Sequence, residues 1–298
     1  MAAPPKYLVP YILVTAFQYF LAKDALGRAS PFVLGAMDAL VMAVALFALS
    51  RGFRLVLNGP TVLFSVFYWL AGASWLLGLE YISPAQSAVI SFTMPLFVIP
   101  LAILILSERG TRVEVYGAVV GFAGIVLFNV PLLGGASTAT GLLLTLVDAF
   151  CWALFSVYMR KLRAQDPIQT LGTASLLSFL LYGAFSFTDY GLRPSATLGL
   201  DVAFLGLFSG VLNATLWMAL VKVERVGRLT TTVFLAPIIT LLYTVTTTGV
   251  VPSLVTLGGV ALIFLGIYAS NVLGERRSPA PPSTPVSPAP TMEPTSSS

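Results

Sequence analysis

Residues 75–95 read WLLGLEYISPAQSAVISFTMP, and residues 217–237 read WMALVKVERVGRLTTTVFLAP. Each stretch opens on a Trp and closes on a Pro 20 residues later, and the two are offset by 142. The same offset lays Phe92-Thr-Met-Pro95 over Phe234-Leu-Ala-Pro237 and places Gly117 and Gly124 on Gly259 and Gly266, within GAVVGFAGI and GVALIFLGI. Upstream, Leu13-Val-Thr-Ala-Phe17 matches Leu146-Val-Asp-Ala-Phe150 at an offset of 133, and Pro31 meets Pro167 at 136, loops absorbing the difference. One such match would be accidental in a chain rich in Leu, Val and Gly. A constant register across three consecutive segments predicts an internal duplication.

The composition says where the duplicated unit lives. Of 298 residues 57% are hydrophobic and 9% charged, with mean hydropathy +0.91, against about a quarter charged in soluble chains. This predicts an integral membrane protein. A span needs about 20 mostly apolar residues to cross a hydrocarbon core about 30 Å thick. Cutting at charges, Pro and Gly gives ten cores, at 7–22, 32–49, 61–79, 83–106, 113–131, 141–159, 168–187, 201–221, 229–250 and 252–272. The cut between the last two rests on Gly249, Pro252 and Ser253 without a charge, so a nine-span count is the alternative. From Ser278 onward, 16 of 21 residues are Pro, Ser or Thr, which predicts a disordered tail.

Loop charges test the count independently. With the N-terminus inside, 13 of the 16 basic residues fall on the cytoplasmic face, leaving Lys23, Arg28 and Arg193 outside. Both termini are then cytoplasmic, and the net charge of +4 reports orientation rather than a nucleic-acid partner. Five spans per unit place the second copy upside down, so cytoplasmic Lys222 corresponds to external Glu80. The expected fold is all-α, with ten transmembrane helices in two inverted five-helix repeats at 1–134 and 135–274 and a cytoplasmic tail at 275–298. Such a pair offers two nearly equivalent packings around one central site, the physical basis of alternating access.

What the chain lacks narrows its chemistry. It has no His, removing the usual general base and the commonest zinc ligand, and a single Cys, Cys151, removing disulfides and iron–sulfur clusters. No GxxxxGK[ST] run binds a nucleotide. The expectation is a secondary carrier without cofactor or metal and without enzymatic activity. Rivals are a membrane-embedded helical enzyme or scaffold, for which two Asp without His make a poor ligand set, and a channel, for which no filter loop or charge ring is visible.

The run Ser83-Pro-Ala-Gln-Ser-Ala-Val-Ile-Ser-Phe-Thr-Met-Pro95, continued by Leu101 to Ser107 and Glu108-Arg-Gly-Thr111, resembles the fourth span of the EamA repeat in the drug/metabolite transporter superfamily. The Gly pattern of spans five and ten, the Trp152 to Arg160-Lys161 ending of span six, Lys23 closing span one and Pro31 opening span two are similar to that family's pattern as well. The resemblance covers about residues 5–272 and implies ten helices, a cavity lined chiefly by spans 1, 3, 4, 6, 8 and 9, and export of amino acids, drugs or other small metabolites. Two positions depart from it. Asp38 stands where the family's usual residue is Arg, and the end of span nine, Thr246 to Val251, lacks a counterpart of Glu108.

Carboxyl groups inside a membrane cost roughly 2.5–3.5 kcal/mol at mid-span and are functional candidates. Two are expected there, Asp38 in span two and Asp148 in span six. Low dielectric favours their neutral form, so either can load and release a proton as the coupling ion. The competing reading for Asp38 is an ion pair with Lys23; for Asp148 it is a hydrogen-bonded packing role. Trp75 and Trp217 are candidate aromatic walls, against lipid-interface anchoring. Gln18, Tyr19, Tyr81, Gln86, Asn213 and Thr231 are candidate polar contacts to a small-molecule substrate, against ordinary helix–helix hydrogen bonds. Pro95 and Pro237 are candidate hinges, and Gly117 and Gly124 candidate close-packing positions.

Overall fold

A computed structural model describes residues 5–50, 52, 54–106, 112–129, 136–162, 164–223, 235–249 and 251–269. The described chain is helical: α1 Pro5–Leu26, α2 Pro31–Leu49, α3 Gly59–Tyr81, α4 Pro84–Ser91, α5 Met94–Leu106, α6 Arg112–Asn129, α7 Ala136–Lys161, α8 Pro167–Ser186, α9 Ala196–Ala203, a π-helical stretch Phe204–Leu212, α10 Asn213–Val223, α11 Leu235–Thr248 and α12 Leu254–Tyr268. Starts are written in the sequence as polar caps, each absorbing an N–H that a helix leaves without an internal partner. Asn58 accepts from Thr61 N at 2.9 Å, Asp166 from Ile168 N at 2.9 Å, Ser195 from Leu198 N at 3.1 Å and Ser253 from Thr256 N at 3.1 Å. Gly249, at φ +68°, turns the chain between α11 and α12, in the left-handed region that suits glycine.

Five described helices are long and apolar enough to cross a membrane, at Pro31–Leu49, Gly59–Tyr81, Ala139–Lys161, Pro167–Ser186 and Ala196–Leu220. A sixth joins them if Pro84–Val98 and Pro100–Leu106, bent by 42°, count as one span, and Val115–Phe128 and Leu254–Gly266 are shorter apolar helices. The bend falls at Pro100, which has no N–H to give to the preceding turn. Outward-facing Val44, Leu104, Leu143 and Leu200 are largely exposed, a surface that only lipid accommodates without penalty.

Packing pairs the helices in a regular way. α2 lies along α8, α6 along α12, α3 against both α7 and α8, α5 and α4 against α7, and α1 against α10 and α11. The α6–α12 crossing is a close one, because small residues face one another across it. A Cβ added at Gly266 would stand 2.5 Å from Gly117 O and Gly121 Cα, and one at Gly124 would stand 2.8 Å from Gly259 O. Under the 142-residue offset the Gly124–Gly259 contact becomes the Gly266–Gly117 contact.

The α2–α8 pair is fastened at both ends. At one end Ser30 N donates to Gly191 O (2.8 Å), Ser30 Oγ to Asp189 O (2.6 Å) and Arg193 N to Arg28 O (2.7 Å). At the other, Arg54 N donates to Gln169 Oε1 (3.0 Å), Gln169 Nε2 to Gly52 O (2.5 Å) and Val56 N to Thr173 Oγ1 (3.1 Å). Between them Tyr182 occupies the hollows left by Gly35 and Gly72, where a Cβ would come within 2.6 Å of its ring and 2.5 Å of its hydroxyl, respectively.

Candidate functional site

The helices enclose a central cavity of about 160 Å³. α1 contributes Tyr11, Thr15, Gln18 and Tyr19; α2 Asp38; α3 Tyr68 and Trp75; α4 Ser91; α7 Asp148 and Trp152; α8 Ser178 and Tyr182; the π-helical stretch Ser209; and α10 Asn213 and Trp217. Turns of the π type widen a helix locally, which is why they recur at functional sites. Here the π stretch packs Gly206 and Gly210 on Val41 and Met42 of α2 and brings Ser209 to the cavity.

The wall is aromatic with a few placed polar groups. Tyr11 stacks on Trp217 at 5.3 Å, and Tyr19 meets Trp75 edge-on at 5.5 Å. Trp152 stacks on Phe155 at 4.8 Å, below the Tyr68 ring. Asn213 Nδ2 donates to Thr15 Oγ1 at 2.7 Å, and Thr15 Oγ1 donates to Tyr11 O at 2.7 Å. Ser91 Oγ donates to Asp148 Oδ2 at 2.5 Å. Asp38 Oδ1, Asn213 Oδ1, both hydroxyls of Ser178 and Ser209, and the indole nitrogens of Trp75 and Trp217 are buried without a hydrogen-bond partner. Buried polar groups are ordinarily paired, so six unpaired among the described residues around a single cavity make it the candidate ligand site. Among the described residues no group of His, Cys, Asp and Glu could hold a metal ion.

Of the residues singled out by sequence, the cavity brings together Gln18, Tyr19, Asp38, Trp75, Asp148, Asn213 and Trp217. Gln86 does not reach it. Its side chain accepts from Ser83 N at 2.9 Å while Ser83 Oγ accepts from Gln86 N at 3.3 Å, a capping box that starts α4. Tyr81 ends α3 with its side chain exposed, outside the lining. Lys23 is not the partner of Asp38. Its amine donates to the carbonyls of Leu79 (2.6 Å), Glu80 (2.9 Å) and Ile82 (3.1 Å), because the last carbonyls of a helix are unpaired and carry its negative dipole end. Pro95 and Pro237 lie in α5 and α11, and Gly117 and Gly124 lie in the α6–α12 seam, away from the cavity. Thr231, Glu108 and the tail fall outside the described residues. Tyr11, Thr15, Tyr68, Ser91, Trp152 and Tyr182 line the cavity and had not been expected as site residues. One signal for Thr15 existed, since the match of residues 13–17 to 146–150 aligns it with Asp148.

The sequence profile of the EamA-like transporter family matches residues 8–130 and again 139–272. A transporter of Acidianus ambivalens, encoded in the sor 3' region, is 36% identical over 219 residues, 74% of this chain and 86% of that one. A probable amino-acid metabolite efflux pump of Salmonella typhimurium is 26% identical over 284 residues, 89% and 93% of the two chains. The aromatic amino acid exporter YddG of Ancylobacter novellus is 27% identical over 276 residues, 86% and 93%. A solved crystal structure superposes with a TM-score of 0.70 at 22% identity, over 91% of this chain and 99% of its own.

Proposed function

Because the chain belongs to the EamA-like transporter family, we propose that it is a secondary carrier that exports a small organic solute bearing an amino group. The central cavity carries this reading: an aromatic chamber with unpaired polar groups, built from α1, α2, α3, α4, α7, α8 and α10 together. Relatives named as exporters of amino acids or their metabolites set the class of cargo. The mechanism proposed is alternating access of ten spans in two inverted five-helix repeats, with both termini cytoplasmic and a proton as the coupling ion.

Three observations support the repeats. The family profile matches once in each half. Exchanging span n with span n+5 turns the α3–α7 pair into α10–α1 and the α5–α7 pair into α11–α1, and both partners of each exchange are present. The Gly124–Gly259 and Gly117–Gly266 contacts also exchange. Two copies related in this way make the outward-open and inward-open packings similar in energy, so a substrate's modest preference can shift the population between them.

Counterflow in proteoliposomes tests the carrier. Vesicles loaded with unlabelled aromatic amino acid or its amine should transiently accumulate the labelled compound above its outside concentration. Linear, unsaturable flux would indicate a channel, and chemical conversion of the label an enzyme.

A further inference from the structure

The charge of the cavity constrains its ligand more sharply than its shape does. Two carboxyl side chains, Asp38 and Asp148, stand in its wall, and among the described residues no Lys or Arg does. Asp148 receives the Ser91 hydroxyl at 2.5 Å. Asp38 Oδ1 is sealed from solvent and receives nothing among the described residues. The phenols of Tyr68 and Tyr182, which line the same cavity, do not donate to it. Tyr68 Oη is directed to Met42 Sδ at 3.1 Å, and Tyr182 is wedged with its ring over Gly35 and its hydroxyl over Gly72. Lys23, the only lysine of α1 beyond its first turn, is held by the three carbonyls that end α3. An ionised carboxylate buried with no cation is strongly unfavourable, and one matched cation relieves it. Tyr68, Trp75 and Tyr182 also line the cavity, and aromatic rings attract cations.

We propose that this cavity takes a primary amine or comparable organic monocation without a carboxylate, and that Asp38 is the residue that selects it. The inference rests on the carrier reading above and narrows its cargo. An amino acid would bring a third acidic group into a wall that has no basic side chain among the described residues. Its carboxylate would be left to neutral donors such as the Trp75 and Trp217 indole N–H groups. The corresponding amine keeps the pairing with Asp38 and the ring contacts, and loses only the repulsion. Asp38 therefore selects the amine, and the lack of a basic partner among the described residues disfavours the carboxylate of an amino acid.

Tryptamine and tryptophan differ by one carboxylate and serve as matched probes. Isothermal titration into the purified full-length chain should show tryptamine binding at least about tenfold tighter than tryptophan. Asp38→Asn should lower tryptamine affinity by about tenfold or more, with Asp38→Glu restoring part of it. Tryptophan binding as tightly as tryptamine to the unmodified protein overturns the proposal whether or not the Asn variant folds. Unchanged tryptamine affinity in folded Asp38→Asn overturns it too, as does the failure of tryptamine to bind at millimolar concentration. Tight, Asp38-dependent tryptamine binding without counterflow would uphold the amine selection and refute the carrier. Tryptophan counterflow without tryptamine binding would do the opposite.

Discussion

The seam between α6 and α12 makes a graded prediction from three neighbouring glycines. A Cβ at Gly266 would lie 2.5 Å from Gly117 O and Gly121 Cα, and one at Gly259 would lie 2.6 Å from Phe128 Cα. All of these are backbone atoms, which cannot swing aside. Carbon contacts settle at about 3.5–4.0 Å, so either Ala substitution must part the two helices by about 1 Å. Overpacking of this kind costs about 1–3 kcal/mol, set against up to about 1 kcal/mol gained from replacing Gly by Ala within a helix. Gly258 is the internal control, since its Cβ would meet only Leu127 Cδ2 at 3.7 Å, an ordinary contact. Gly258→Ala should be neutral or slightly stabilising, and Gly259→Ala and Gly266→Ala should melt lower by several degrees, at about 2–4 °C per kcal/mol. Cys151, the chain's one cysteine, is buried and offers the readout: a thiol-reactive fluorophore reports its exposure on heating. If all three variants melt together, the seam is not packed as described and the exchange of contacts across it loses its meaning.

Two further outcomes concern transport. Asp148→Asn keeps the side chain's shape and can keep the Ser91 contact while removing the titratable proton, so it should abolish transport driven by an imposed pH gradient and spare solute exchange at equilibrium. Wild-type gradient-driven rates in that variant would remove Asp148 as the proton carrier. The α2–α8 pair, tied at both ends, should move as one body. A Cβ at Gly191 would sit 3.7 Å from Ser30 Cβ, within disulfide range, so oxidised Ser30→Cys/Gly191→Cys should cross-link and still transport. Loss of transport on oxidation with recovery on reduction would show that the pair separates during the cycle.

Two span boundaries were legible where a Pro opens the helix. The core expected at 32–49 is α2, Pro31–Leu49, and that at 168–187 is α8, Pro167–Ser186. Trp75 and Trp217, aligned by the 142-residue offset, both line the cavity. Side-chain facing was much less legible. A membrane helix is apolar around its whole circumference, so periodicity cannot separate Tyr182, which fills the bundle, from Phe185 beside it, which is partly exposed. Lys23 was misread because its partners are backbone carbonyls, which every residue has and no sequence displays. Gln86 carried a readable signal: Ser83 followed three residues later by Gln is the spacing of a capping box. The π-helical stretch had none beyond Gly206 and Gly210, whose small size admits α2.

Alternating access around one cavity is the central claim, and Ser209 is the place to test it. Its hydroxyl is buried in the cavity wall without a partner, so Ser209→Cys changes little, and Cys151→Ala removes the background thiol. In sealed proteoliposomes of uniform orientation, a membrane-impermeant thiol reagent added to either side should label Cys introduced at 209, and a bound amine should slow the reaction from both sides. Labelling from one face alone, under every substrate and pH condition, would contradict alternating access.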